Sequence, residues 1–203
     1  MRTFVLAVVV ALTLGACAPG PRPAANIGYF DLGPAGAPRG AFAGLRGIEV
    51  FAPSWLDSAA LQYRQTDASA QRRRNYAESR WVAPPAELVA LALRQRLLSN
   101  TPAGACKLRI DLDEFVQIFD SAASSRVRIE VRAQLVAPTG AELLGRRAFA
   151  FDRPAASADA AGGARSLADA VEALAAALDE WLVGLDRESA GGSNTATRCR
   201  SGS

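Results

Sequence analysis

Val127-Arg128-Ile129-Glu130-Val131-Arg132-Ala133-Gln134-Leu135 is the stretch on which the reading of the fold turns. Apolar and polar residues alternate here for nine positions. A strand sends successive side chains to opposite faces, so this stretch is a half-buried strand with one apolar and one charged face. Leu108, Ile110 and Leu112 repeat the pattern against Arg109, Asp111 and Asp113. The turn-like residues from Asp120 to Ser125 separate the two stretches, and Pro138-Thr139-Gly140 closes the second. A third strand is expected near Phe149 and Phe151, which gives an antiparallel meander.

Upstream, Gly28-Tyr29-Phe30-Asp31-Leu32 and Gly47-Ile48-Glu49-Val50-Phe51 read as short strands ended by Gly33-Pro34 and Pro53. Leu61-Gln62-Tyr63 and Asn75 to Trp81 form a hairpin around Arg72-Arg73-Arg74. Ala83-Pro84-Pro85 opens a helix, because proline is tolerated in a first turn whose N–H groups lack partners. Leu88, Val89, Leu91, Leu93, Leu97 and Leu98 cover much of that helix's circumference, so it is expected to be well buried. Pro154 to Ala164 is a small-residue loop. Ser166 then caps a final helix, with Asp169 at the capping-box spacing and a stripe of Leu167, Val171, Leu174, Leu178, Trp181 and Leu185.

The order β-β-β-β-α-β-β-β-α predicts an α/β two-layer sandwich: a mixed, mostly antiparallel sheet with two main helices packed on one face. The first helix should cross over and bring the strand after Cys106 beside the strand at Ile48. Four segments follow from composition: a signal peptide with a lipobox over 1–16, a lipidated cysteine and flexible tether over 17–27, one domain over 28–187, and a flexible tail over 188–203.

The first of these rests on Met1-Arg2, an apolar run from Phe4 to Leu14, and Leu14-Gly15-Ala16-Cys17. A charged start, a short apolar run and small residues before the cut describe a secretory signal. The run is too short to cross a bilayer. Leu-Gly-Ala-Cys is similar to the bacterial lipobox, in which the cysteine is acylated and becomes the new N-terminus. Cys17 is therefore the expected lipid anchor. Ala18 rather than aspartate follows it, which by analogy with enterobacterial sorting favours the outer membrane over the inner one. The expected location is the periplasm.

Net charge is +3 with a pI near 9.0, and Lys107 is the only lysine. Export argues against nucleic acid as a partner, and the arginines are spread along the chain. The one local cluster, Arg72 to Arg74, is either a solvated loop or a contact for phospholipid headgroups or an acidic partner. Cys106 and Cys199 remain in the mature chain. In an oxidising compartment such a pair forms one disulfide, closing a loop of roughly 90 residues and stabilising by about 2–4 kcal/mol; two free thiols are the alternative.

Histidine is absent. That removes Ser-His-Asp and Cys-His centres and leaves two cysteines unable to make the usual four-ligand zinc site. Asp111, Asp113 and Glu114 lie close together, but Asp111 and Asp113 share a strand's polar face, where solvated or ion-paired acids are expected. No phosphate loop or dinucleotide fingerprint is present. No catalytic residue, metal or cofactor is expected.

The unusual composition lies between Pro53 and Pro85. Trp55, Asp57, Tyr63, Arg64, Tyr76, Arg80 and Trp81 combine aromatics with charges as protein-binding surfaces do, and they are the candidate partner-binding residues. Trp55 and Trp81 fit a core role equally well.

At these residues the chain resembles the ABC-type transport auxiliary lipoprotein family, which includes the paraquat-inducible protein C-like lipoproteins. The resemblance is carried by Tyr29-Phe30-Asp31-Leu32-Gly33, by Val50 to Ser58 with Leu61-Gln62-Tyr63-Arg64, by Asn75 to Trp81 with Pro84-Pro85, and by Leu112 to Phe115 with Phe119-Asp120. It implies a non-enzymatic component of an ABC system for lipid transport. Such a system has an ATPase, a permease and an MCE-type (mammalian cell entry) substrate-binding protein on which the lipoprotein docks. A homo-oligomer is also compatible with the family. The rival reading is a structural or assembly lipoprotein of the envelope unconnected to transport.

Overall fold

The structure is a computed structural model, and it describes residues 26–34, 36–66, 71–98, 104–140, 142–188 and 195–200. The expected signal peptide, Cys17 and most of the tether lie outside the described residues.

The alternating stretches build the centre of a seven-stranded sheet. Its strands are β1 (Gly28–Phe30), β2 (Leu45–Phe51), β3 (Ala60–Gln65), β4 (Arg74–Trp81), β5 (Cys106–Ser121), β6 (Ser124–Val136) and β7 (Leu143–Pro154). The helices are α1 (Pro85–Leu97), α2 (Ala160–Glu188) and the single turn α3 (Thr195–Arg198). Strand order is β1-β4-β3-β5-β6-β7, with β2 also paired to β5. Strands β5, β6 and β7 form the expected antiparallel meander. The crossover through α1 sets β5 parallel to β2, with Ile48 opposite Leu108.

One edge of β5 serves two partners in succession. Its first half, Cys106 to Asp111, pairs with β2; its last part, Gln117 to Phe119, pairs with β3. Between them the chain leaves the sheet through a short 3-10 turn at Ser54–Leu56, which buries Leu56. Opposite this gap the β5–β6 register shifts between Leu112 and Glu114. A bulge adds one residue and exchanges the faces of all that follow. Leu108, Ile110 and Leu112 point into the core before it, and Phe115 and Gln117 after it. The strict alternation thus stops at Asp113 although the strand runs on to Ser121.

The core lies between the sheet and its helical layer, where Leu108, Ile110, Ile129 and Leu135 meet Leu93, Leu174 and Leu178. Helix α1 begins with Pro85 in its first turn and Glu87 beside it. It buries Leu88, Val89, Leu93 and Leu97 but leaves Leu91 54% exposed, so its apolar surface is not fully covered as expected.

Helix α2 begins earlier than Ser166. It starts at Ala160, and the Gly162 N–H donates to the Asp159 carboxylate at 2.7 Å. That hydrogen bond holds the Asp159 carboxyl below its ordinary range. Ser166 is a buried helix-interior residue whose hydroxyl accepts from the Ala156 N–H at 2.9 Å. Ala160-Ala161-Gly162-Gly163 looks like a loop because small residues have little helix signal of their own. Two of them are small for want of room: Gly162 abuts Ser157, and Gly163 is where α2 presses on the sheet. A Cβ on Gly163 would overlap the buried Gln117 amide.

Cys106 and Cys199 are joined in a disulfide with Cα atoms 4.9 Å apart. Residues 195–200, inside the segment read as a flexible tail, are seated rather than loose. The Ala105 N–H donates to the Cys199 carbonyl at 2.6 Å, Thr195 donates to the Leu185 carbonyl at 3.2 Å, and Arg198 pairs with Glu142.

Candidate functional site

The seven candidate partner-binding residues separate into an exposed pair on the turn before β3 and a more packed group on β3 and β4. Trp55 sits on the 3-10 turn with 54% of its surface exposed, and Asp57 follows it, also exposed. The turn is fixed from beneath by buried Leu56 and by the Gln62 side-chain amide, which donates to the Trp55 carbonyl at 2.7 Å. Trp81 is 1% exposed and packs against Phe115 with ring centroids 5.5 Å apart. Burial therefore removes Trp81 from the candidate surface.

Tyr63 and Tyr76 are half-buried and stack on each other at 4.8 Å, with Phe119 edge-on to Tyr63 at 5.5 Å. The Tyr76 hydroxyl donates to Gln117 Oε1 at 2.8 Å, and Gln117 Nε2 donates to Ser125 Oγ at 2.8 Å. Burial, with smaller contributions from Tyr63 and Asp159, raises the Tyr76 pKa above the ordinary tyrosine value. This is a phenol kept neutral to join strands, not an acid poised to act. Arg80 folds back on its own strand and donates to the Tyr76 and Ser79 carbonyls.

On the opposite face of the sheet Arg64 reaches Glu114 at 3.2 Å, and Arg73 reaches the same carboxylate at 2.8 Å. Arg73 also donates to Gln62 Oε1 at 3.1 Å, so this member of the arginine run is tied to the fold while Arg72 is exposed. The other carboxylates of this face are similarly committed. Asp113 meets Arg132 at 2.7 Å, and Asp152 meets Arg128 at 2.7 Å and Arg126 at 3.0 Å. Burial alone would raise the Asp152 pKa, but the hydrogen bonds from Arg128 and Arg126 leave it lowered. Val116 and Ile118, which the bulge turns to this side, stand opposite Arg128 and Arg126 across the β5–β6 ladder. Carboxylates clamped by guanidinium groups are poorly suited to proton transfer. Among the described residues no group of three or more His, Cys, Asp and Glu side chains could hold a metal ion.

Three further exposed apolar residues are not among the candidates: Phe51, Val82 and Leu91. Phe51 (46% exposed) ends β2 on its outer face, with the Arg109 guanidinium 5.2 Å from its ring centroid. Val82 lies just before the start of α1 and Leu91 at its middle. One shallow hollow joins Phe51, Ala52, Pro53 and Trp55 to Asp111, Asp113 and Arg132. A larger groove of about 900 Å3 runs between β2 and α1 and shares Phe51 and Ala52 with it. The signal for Phe51 was available. It stands in step with Glu49 on the polar side of β2, where an aromatic ring is out of place.

The fold and this surface define a two-layer α/β module with an exposed aromatic patch. The sequence matches the family model for the ABC-type transport auxiliary lipoprotein component over residues 34–178. The chain belongs to that family. Among solved structures it is similar to a Xanthomonas campestris protein of the DUF330 family. That match has a TM-score of 0.66 and 18% identity, covering 81% of this chain and 99% of the other. A second crystal structure, of an uncharacterized protein, is similar with a TM-score of 0.60 and 17% identity, covering 77% and 99%. At these identities the likeness establishes the fold. No curated protein matches the sequence.

Proposed function

We propose that this chain is a non-enzymatic lipoprotein of an ABC system for lipid transport. It docks in the periplasm on the MCE-type substrate-binding protein and links it to the outer membrane through acylated Cys17. Family membership over residues 34–178 carries this reading. Two observations support it. The acidic residues of the sheet are neutralised by arginines rather than grouped for catalysis. The largest exposed aromatic, Trp55, stands on a turn braced from below, which presents a rigid anchor at low entropic cost. No described helix is long and apolar enough to cross a membrane, which leaves the lipid as the proposed attachment.

The test is co-purification of the full-length protein in mild detergent, with mass spectrometry of the associated proteins and lipids. ATPase, permease and MCE subunits should accompany the wild type and be depleted with a Trp55→Ala, Asp57→Ala variant. Recovery of none of them with the wild type would overturn the reading. For the anchor, Cys17→Ser should release the protein from the membrane fraction, and unchanged fractionation would refute it.

A further inference from the structure

We infer that the outer edge of β2 is a strand-addition site. It takes an extended segment of the docking partner in which apolar residues alternate with basic ones. The inference rests on the proposed docking role and names how the partner is held.

The argument begins with an unfilled place in the sheet. β2 pairs only with β5, and the other strands continue the sheet alongside the far half of β5. The side of β2 away from β5 therefore has no strand among the described residues. In a parallel ladder the backbone groups of alternate residues face alternate neighbours. The Ile48 carbonyl faces away from β5, because the Arg94 side chain of α1 donates to it at 3.1 and 2.9 Å. Val50, two residues on, turns its N–H and carbonyl the same way, and neither has a hydrogen-bond partner among the described residues. Unpaired strand edges are normally covered or blunted because they template pairing with another chain. Here Arg94 blunts the edge at Ile48 and leaves it open at Val50.

The groove beside this edge gives the occupant its chemistry. On the helical side it is lined by Ala86, Ala90 and Leu91, and on the outer side by Phe51. Side chains of an added strand would point alternately to these two walls. Those facing α1 would meet apolar surface. Those facing outward would lie beside Glu49, whose charge is offset by Lys107 at 2.8 Å, while Asp57 and Glu87 supply two further carboxylates to the lining against Arg94. An acidic groove beside an open strand edge favours an extended segment bearing lysine or arginine over an acidic one or an amphipathic helix.

A photo-crosslinking residue at position 91 of the full-length protein, expressed in cells with its transporter, provides the test. Mass spectrometry should find one contiguous partner segment with alternating apolar and basic residues. Val50→Pro should lower that crosslink about tenfold, equivalent to about 1.4 kcal/mol. It removes only an N–H that points away from β5, which an edge strand tolerates. Glu87→Lys is the second variant, acts through charge alone, and should lower the same crosslink even if the proline variant fails to fold. A crosslink to lipid alone, to a second copy of this chain, or to none would overturn the inference, as would full crosslinking in both variants. Transporter subunits that still co-purify with a folded Val50→Pro protein would overturn strand addition and leave the docking role standing. Their absence from the wild type would overturn both.

Discussion

Gly163→Ala is expected to destabilise the protein although alanine is the better helix former. A Cβ at this position would come within 2.5 Å of Gln117 Cδ and closer still to Oε1. The amide cannot step aside freely, because it is fully buried and holds both the Tyr76 hydroxyl and Ser125 Oγ at 2.8 Å. Displacing it strands two hydrogen bonds among buried groups, each costing about 1–3 kcal/mol. Alanine over glycine in a helix returns about 1 kcal/mol. The balance is a loss of about 1–5 kcal/mol, which in a domain of this size lowers Tm by about 2–20 °C. Urea unfolding followed by circular dichroism measures it directly. Gln117→Ala combined with Gly163→Ala should cost less than the sum of the two single changes, because the smaller side chain relieves the overlap. A Gly163→Ala protein as stable as the wild type would refute the close-packing argument.

Three further predictions follow from the same structure. Trp81→Ala should cost about 3–5 kcal/mol, as removal of a core aromatic does, while Trp55→Ala should change stability by about 0.5 kcal/mol or less; thermal melts of the two variants compare them. Cys199→Ser, or reduction of the wild type, should cost about 2–5 kcal/mol by opening a link across 93 residues of chain, measured as a shift in urea midpoint. Asp159→Ala should lose about 1 kcal/mol at neutral pH as a helix cap. Because the folded-state pKa of Asp159 is lowered, its contribution is present above the ordinary carboxylate range and lost as pH falls through the folded value. The gap between wild type and variant should therefore narrow below about pH 4 in unfolding measurements across pH.

What could be read from the residues was whatever repeated. Alternation located β6 and the first half of β5, and the proline pair located α1. The crossover rule alone placed β5 beside β2, with Ile48 opposite Leu108. The second half of β5 escaped because one added residue near Asp113 exchanges faces, and a pattern of period two cannot register an odd step. The first turn of α2 escaped because Gly163 answers to a glutamine roughly 45 positions away and Gly162 to the backbone and side chain of Ser157 in the preceding loop, neither of which a helix pattern registers. At the candidate surface, composition marked a region but could not sort Trp55 from Trp81. Both sit among polar residues, and only tertiary packing against Phe115 separates them. Leu91 was legible as apolar but not as exposed, since a helix's own stripe does not reveal how much of it a sheet will cover.

The Cys106–Cys199 link also has a consequence in time. Synthesis runs from N- to C-terminus, so Cys106 emerges with the first residues of β5 while its mate follows after every strand and both main helices. The bond can close only on a chain that has been made through to residue 199, across a loop whose ends meet more slowly the longer it is. A product cut short anywhere between the two would keep a reactive thiol at position 106. Oxidation at that site thus marks molecules made through to residue 199, and thiol labelling would count those cut short before it.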